Sequence, residues 1–173
     1  MVKIVQSATI LGLHAYSVEI EVCPARGLPG FTMVGLPDTA AQEARDRVRS
    51  AIISSGFKFP REKITVNLAP ANIKKEGPRF DLAIAVGILL ASDQCTERKD
   101  LRSLLFLGEL ALDGRLRPIQ GAFSIALSCV ERGFSGRFMI PQGNGAEIGT
   151  VPGVLASDFT NLREVVETMG EDA

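Results

Sequence analysis

KKEGPRFDLAIAVGILLAS, residues Lys74 to Ser92, sets two lysines, a Gly-Pro pair and an arginine ahead of a long apolar run. Gly77 and Pro78 suit a helix start, because proline's fixed φ fits the first turn and its missing N–H is one that has no intrahelical partner there. Phe80, Ala83, Ile84, Gly87, Ile88 and Ala91 recur at helical spacing, and Leu82, Ala85, Val86 and Leu89 make the opposite side apolar too. A helix apolar all round must be packed on every side, so this one is expected at the centre of the molecule. The run Leu82 to Ala91 is far too short to cross a bilayer, which takes about 20 residues. Lys74, Lys75 and Arg79 surround a helix start whose N–H groups lack intrahelical partners, an arrangement that favours an anion.

Upstream, VKIVQSATI and LGLHAYSVEIEV alternate as two strands joined near Leu11 to Leu13. FTMVGL is a third strand, followed by the helix TAAQEARDRVRSAIISSG with Asp38 and Thr39 offering cap oxygens and Gly56 closing it. Its apolar stripe is Ala40, Ala44, Val48, Ala51 and Ile52. Arg45, Arg47 and Arg49 lie off that stripe and spread over an arc of about 200°, so only Arg45 and Arg49 are neighbours. KITVNLAP is a strand stopped by Pro70. Downstream, SLLFLGELALDGRLRPI places two alternating runs around Asp113-Gly114, the pair expected in a two-residue hairpin turn. GAFSIALSCVERG is a helix, RFMIP and GVLAS are strands, and Asn161 to Met169 is a last helix.

With 46% hydrophobic residues, no Trp and few aromatics in 173 residues, the chain can bury one core built from Val, Ile, Leu and Ala. Those residues suit a mixed sheet with packed helices, an α/β or α+β domain. Three cysteines without C-x-x-C spacing fit reduced thiols in a cytoplasm. No secretory leader is expected at the N-terminus. The net charge of −1 is unevenly spread. Basic residues from Arg45 to Arg79 outnumber acids, and the last stretch is acidic, an asymmetry that suits either an anionic partner or a solvated helix face with an acidic tail.

The chain lacks a G-x-x-x-x-G-K-[ST] phosphate loop, and GNGAEIG, Gly143 to Gly149, has Ile148 where a dinucleotide loop needs its third glycine; a surface turn is expected there. His14 is the single histidine, in a strand, so no clustered metal site and no cofactor are expected in this chain.

From Ile64 onward the order of pieces resembles the proteolytic domain of Lon: a strand, KKEGP leading into a packed helix, GELALDGRLRPIQGA, a further helix, then RFMIP. Lon-type proteases carry a Ser-Lys dyad, the serine in a G-P-S-A-G segment and the lysine in P-I-G-G-L-K. Counted from Gly77-Pro78, the serine's place is taken by Arg79; counted from Pro118-Ile119, the lysine's place is taken by Phe123. An arginine offers no acyl-accepting oxygen and a phenyl ring takes no proton. Ser124 is the one displaced nucleophile to consider, but neighbours on a helix point about 100° apart.

The whole chain from Met1 to about Glu167 resembles the leading domain of the magnesium-chelatase-like ComM/YifB proteins. SATILGLHAYSVEIEV, GLPGFTMVGLPDTAAQEARDRVRSAI and ITVNLAPANIKKEGPRFDLAIAVGILLAS carry that resemblance. It implies a Lon-like fold related to the second domain of the fifth ribosomal small-subunit protein, here one domain over 1–168 with a tail at 169–173. It also implies a following AAA+ module, absent from this chain, that uses ATP and Mg, a hexameric assembly, and DNA branch migration in the natural-transformation members. On that resemblance the chain is a non-catalytic, cytoplasmic domain without membrane contact that meets DNA, neighbouring subunits or both. The candidate contacts are Lys74, Lys75, Arg79, Arg45 and Arg49, whose anion is a nucleic-acid phosphate, a neighbour's carboxylate, or Asp81 or Glu76 of the same chain. Two other readings stand beside it: a hydrolase with a displaced serine, and a chelatase subunit that inserts metal.

Overall fold

The computed structural model describes residues 1–97 and 100–171. β1 (Lys3–Leu11) and β2 (His14–Ala25) form a long antiparallel hairpin whose register runs from Lys3 opposite Val22 to Leu11 opposite His14. The alternation seen in the sequence decides their two faces. Val5, Val18, Ile20 and Val22 point into one core, while Ala8 and Ala15 point into another on the opposite side.

β3 (Gly30–Val34) leads into α1 (Thr39–Gln42) and α2 (Ala44–Ser54), then β4 (Lys63–Ala69). The single helix expected from residue 39 to 56 is broken at Glu43. Asp38 caps the first piece through Ala41 N (2.7 Å), and the break re-phases the stripe, so Ala41 is buried beside Ala44, Val48, Ala51 and Ile52 where Ala40 was expected. α3 (Asp81–Ala91) is the central helix, buried from Asp81 through Leu90. It lies so close to the first hairpin that a Cβ on Gly87 would sit 2.6 Å from Val22 Cγ2.

The chain then forms β5 (Leu104–Phe106), the small hairpin β6 (Glu109–Leu110) and β7 (Leu116–Arg117), α4 (Ala122–Glu131), β8 (Arg137–Pro141), α5 (Gly145–Ile148), β9 (Leu155–Phe159) and α6 (Leu162–Gly170). The large sheet has the order β3-β4-β2-β1-β5-β8-β9. β1, β5, β8 and β9 run parallel, and the β1–β2–β4 part is antiparallel. α2, α3 and α6 pack on one face; α4 and α5 pack on the other. This is a mixed-sheet α+β domain.

Four further expectations are corrected. The Asp113-Gly114 turn is not a two-residue loop: Ala111 N donates to Arg115 O (2.9 Å) and Gly114, at φ +92°, closes a three-residue loop through Ala111 O (3.0 Å). The run before it is split because Gly108 docks on the start of α3, donating to Arg79 O and accepting from Leu82 N, which sends Leu104–Phe106 into the large sheet. The GNGAEIG stretch is more than a surface turn: Asn144 is buried and its amide brackets Ile119, accepting from its N (2.9 Å) and donating to its O (3.0 Å). The tail placed at 169–173 starts too early, since Met169 is buried and α6 runs to Gly170. Residues 172 and 173 lie outside the described residues.

Candidate functional site

The segment between β4 and α3 is built around Lys75. Its side chain is fully buried, and Nζ donates to Gly35 O (2.7 Å) and to Pro70 O. Its backbone N donates to Leu36 O (3.0 Å), and its carbonyl accepts from Asp38 N (2.9 Å). Burial lowers its pKa, and the ammonium satisfies carbonyls in place of water. Lys75 therefore fastens the β3–α1 loop to the end of β4 and is closed to an outside anion, contrary to its place among the candidate contacts. Lys74, its neighbour, is exposed.

The start of α3 is also closed. Asp81 N donates to Pro78 O (3.2 Å) and Leu82 N to Gly108 O (3.1 Å), while Phe80, Asp81 and Leu82 are buried. Two of the N–H groups expected to be free for an anion, those of Asp81 and Leu82, are occupied by the chain itself.

Arg79 lies half-buried beside this segment. Its Nε is shielded from solvent with no acceptor among the described residues, and Nη1 lies 3.5 Å from Thr9 Oγ1, at the limit of a hydrogen bond. Desolvation lowers its pKa, opposed by the more distant charges of Glu76 and Asp38. Asp38 is already engaged, capping α1 and accepting Gly77 N at 3.2 Å on both oxygens.

Asp81 is not the partner of Lys74, Lys75 or Arg79. It takes a bidentate bond from Arg47, Nε to Oδ2 at 2.6 Å and Nη2 to Oδ1 at 3.0 Å, and accepts Leu110 N at 3.0 Å. Desolvation still pushes the Asp81 carboxyl up to about 6, against the pull of Arg47 and Leu110. Arg47 loses hydration as well, but the bond and charge of Asp81 outweigh that loss and raise its pKa. It also donates to Ala40 O (2.8 Å), so one buried ion pair joins α1, α2, α3 and the β6–β7 hairpin. Sequence reasoning missed this pair. Half of the signal was present: Asp81 heads an apolar helix and a buried carboxylate needs a charged partner, but nothing in the sequence marks which of three alternating arginines supplies it.

Phe123 is the second residue of α4 and 40% exposed; Ser124 beside it is exposed. Arg79 reaches Thr9, and Gly121, the cap of α4, lies against Ile10. Thr9 and Ile10 are adjacent in β1 and face opposite sides of the sheet, so the start of α3 with Arg79 and the start of α4 meet the end of β1 from its two faces. Arg45 and Arg49 are exposed on α2. Arg49 lies over the Phe59 ring (5.4 Å), which stacks on Phe31 (5.6 Å), placing it beside the basic turn with Lys58, Arg61 and Lys63. The candidates thus fall in two places: Arg45 and Arg49 on an open basic edge, and Lys74 and Arg79 around a closed segment.

Among the described residues no three or more His, Cys, Asp or Glu side chains are grouped to hold a metal ion, and no helix is long and apolar enough to cross a membrane.

The mixed sheet with its central α3 defines a Lon-like α+β domain. The family model described as subunit ChlI of Mg-chelatase matches residues 18–144. YifB of Escherichia coli (strain K12) is 48% identical over 151 residues, covering 87% of this chain and 29% of that protein. Competence protein ComM of Haemophilus influenzae is 51% identical over 125 residues, covering 72% of this chain and 24% of that protein. Lon protease 2 of Desulfotalea psychrophila is 26% identical over 152 residues, covering 83% and 19%. The chain belongs to the magnesium-chelatase-like ComM/YifB family. It spans less than a third of the length of these relatives.

Proposed function

We propose that this chain is the non-catalytic leading domain of a ComM-type protein and that it contributes contacts to DNA, to neighbouring subunits, or to both. The observation that carries this reading is the pair Arg79 and Phe123: the scaffold keeps the Gly-Pro start and the α4 cap, but neither dyad position bears a group able to attack or to accept a proton. With Lys75 buried, DNA contact is assigned to the open edge carrying Arg45, Arg49, Lys58, Arg61 and Lys63, whose charges suit backbone phosphates and read no base. A following ATPase module using ATP and Mg, a hexameric ring and branch migration belong to the same proposal, supported by the family resemblance. A cytoplasmic setting agrees with the free Cys23, Cys95 and Cys129.

Fluorescence polarisation with branched and single-stranded DNA at two salt concentrations tests the DNA contact. The expected result is binding that weakens as salt rises, with the slope of log K against log salt reduced by about 2 in Arg45→Gln/Arg49→Gln. Absence of binding at low salt in the full-length protein contradicts the DNA contact and leaves the subunit contact, which is read from the ring's stability in the same variant.

A further inference from the structure

A cleft of about 230 Å³ opens between the carboxyl ends of β8 and β9 and the β6–β7 hairpin. Gln142 and Gly143 follow the last residue of β8, and Thr160 follows the last residue of β9. In open α/β sheets, ligands bind at this end of parallel strands.

The walls are tied to one another. Leu116 N donates to Thr160 O (2.9 Å) and Leu162 N to Gly114 O (2.9 Å), holding the hairpin on the β9–α6 junction. The Asn144 amide brackets Ile119 from the other side, and Gly143 is so close to Pro118 that a Cβ there would lie 3.0 Å from its Cγ. The cleft is therefore formed before any ligand arrives, which reduces the ordering cost of binding.

The described residues that line it include Arg115 and Arg117 and no carboxylate, while Glu109 stands opposite Arg117 across the hairpin and Glu164 holds Thr160 from behind. Asp113 holds Arg115 Nε at 2.7 Å, while Arg117 has no ion pair among the described residues. The Thr160 hydroxyl is already given to Glu164, which leaves the exposed Gln142 amide as the uncharged donor. Leu116 and Pro118 supply an apolar wall. Two guanidiniums match the geometry of phosphoryl oxygens. The volume is below the roughly 300–1,000 Å³ of pockets that take drug-sized ligands, so the organic part must be small.

We propose that this cleft binds a small phosphate monoester, the phosphoryl group on Arg117, Arg115 and Gln142 and the organic group on Leu116 and Pro118. The test is a ¹H–¹⁵N NMR titration of the chain with phenyl phosphate and with inorganic phosphate at constant ionic strength. Saturable shifts confined to the amides around Leu116, Gln142, Gly143 and Thr160 are expected, with tighter binding of phenyl phosphate. Arg117→Gln, at an exposed position, should keep the wild-type spectrum elsewhere and weaken binding about tenfold, the loss of one charge-assisted bond. Arg115→Gln should weaken it less, because Asp113 already holds that side chain. Arg26→Gln, at an exposed position outside both the cleft and the basic edge, should leave it unchanged. Shifts that do not saturate, or that fall equally in Arg117→Gln and Arg26→Gln, would mean diffuse attraction to surface charge and overturn the site.

Discussion

Arg47 and Asp81 show how one residue pair organises the segment that distinguishes this chain. Removing only the guanidinium leaves a buried carboxylate without its counter-charge, so Arg47→Met should cost about 3–5 kcal/mol at pH 7 in urea denaturation. The Asp81 carboxyl would then rise further above 6, and the deficit should shrink at pH 5, where the group is protonated. Arg47→Met/Asp81→Leu should recover most of the loss. In the wild type the sign is set by a folded pKa of about 6 against an ordinary value of 3.8. Folding takes up a proton between these values, so this group's contribution is complete below about pH 4 and is lost as pH rises through about 6. Stability relative to Asp81→Asn should therefore fall over that window by the order of 1–3 kcal/mol.

Lys75 carries a separate prediction at the same scale. Lys75→Met leaves Gly35 O and Pro70 O without their donor and should destabilise by about 1–3 kcal/mol. It should leave DNA affinity unchanged, since the ammonium faces carbonyls inside the fold. From the sequence, Lys74 and Lys75 were indistinguishable: adjacent lysines before a Gly-Pro pair carry no mark of which one turns inward. That choice is made by the β3–α1 loop, which lies 40 residues away in the chain.

At the scale of elements, the apolar run from Leu82 onward was legible because burial on all sides leaves no polar position in it. The Gly-Pro start was legible too, but its anion site was not, because the groups that occupy the helix N–H donors come from Pro78 and from Gly108 on a later segment. Helix propensity alone favours Ala over Gly at position 87 by about 1 kcal/mol. The packing reverses that preference. A Cβ there would meet Val22 at 2.6 Å, so Gly87→Ala should destabilise by about 1–3 kcal/mol in thermal or urea unfolding. The hairpin at Asp113-Gly114 was found but its loop was misjudged by one residue. Ser55 Oγ would lie 2.5 Å from a Cβ on Gly114, so α2 packs directly against the turn, a contact that dipeptide preference does not encode.

Across the whole molecule, local pattern marked most strands and helices but not their order in space. The parallel pairing of β1 with β5 rests on Gln6 opposite Leu105, nearly one hundred residues on, a contact that no local pattern marks. The substitutions at both dyad positions were legible by counting from the Gly-Pro and Pro-Ile pairs; that α3 and α4 pack on opposite faces of the sheet needed the fold. The basic edge on α2 and the turn before β4 lies apart from that closed segment in the chain, which separates the proposed phosphate-facing surface from the segment where Arg79 stands at the serine's place.

The most direct test of that loss is intact-mass spectrometry of the wild-type chain after exposure to a broad fluorophosphonate. An unchanged mass is expected, because the dyad positions hold Arg79 and Phe123 in place of a serine and its base. A stoichiometric adduct mapped to Ser124, or to any other single serine, would contradict it and return the chain to the hydrolases.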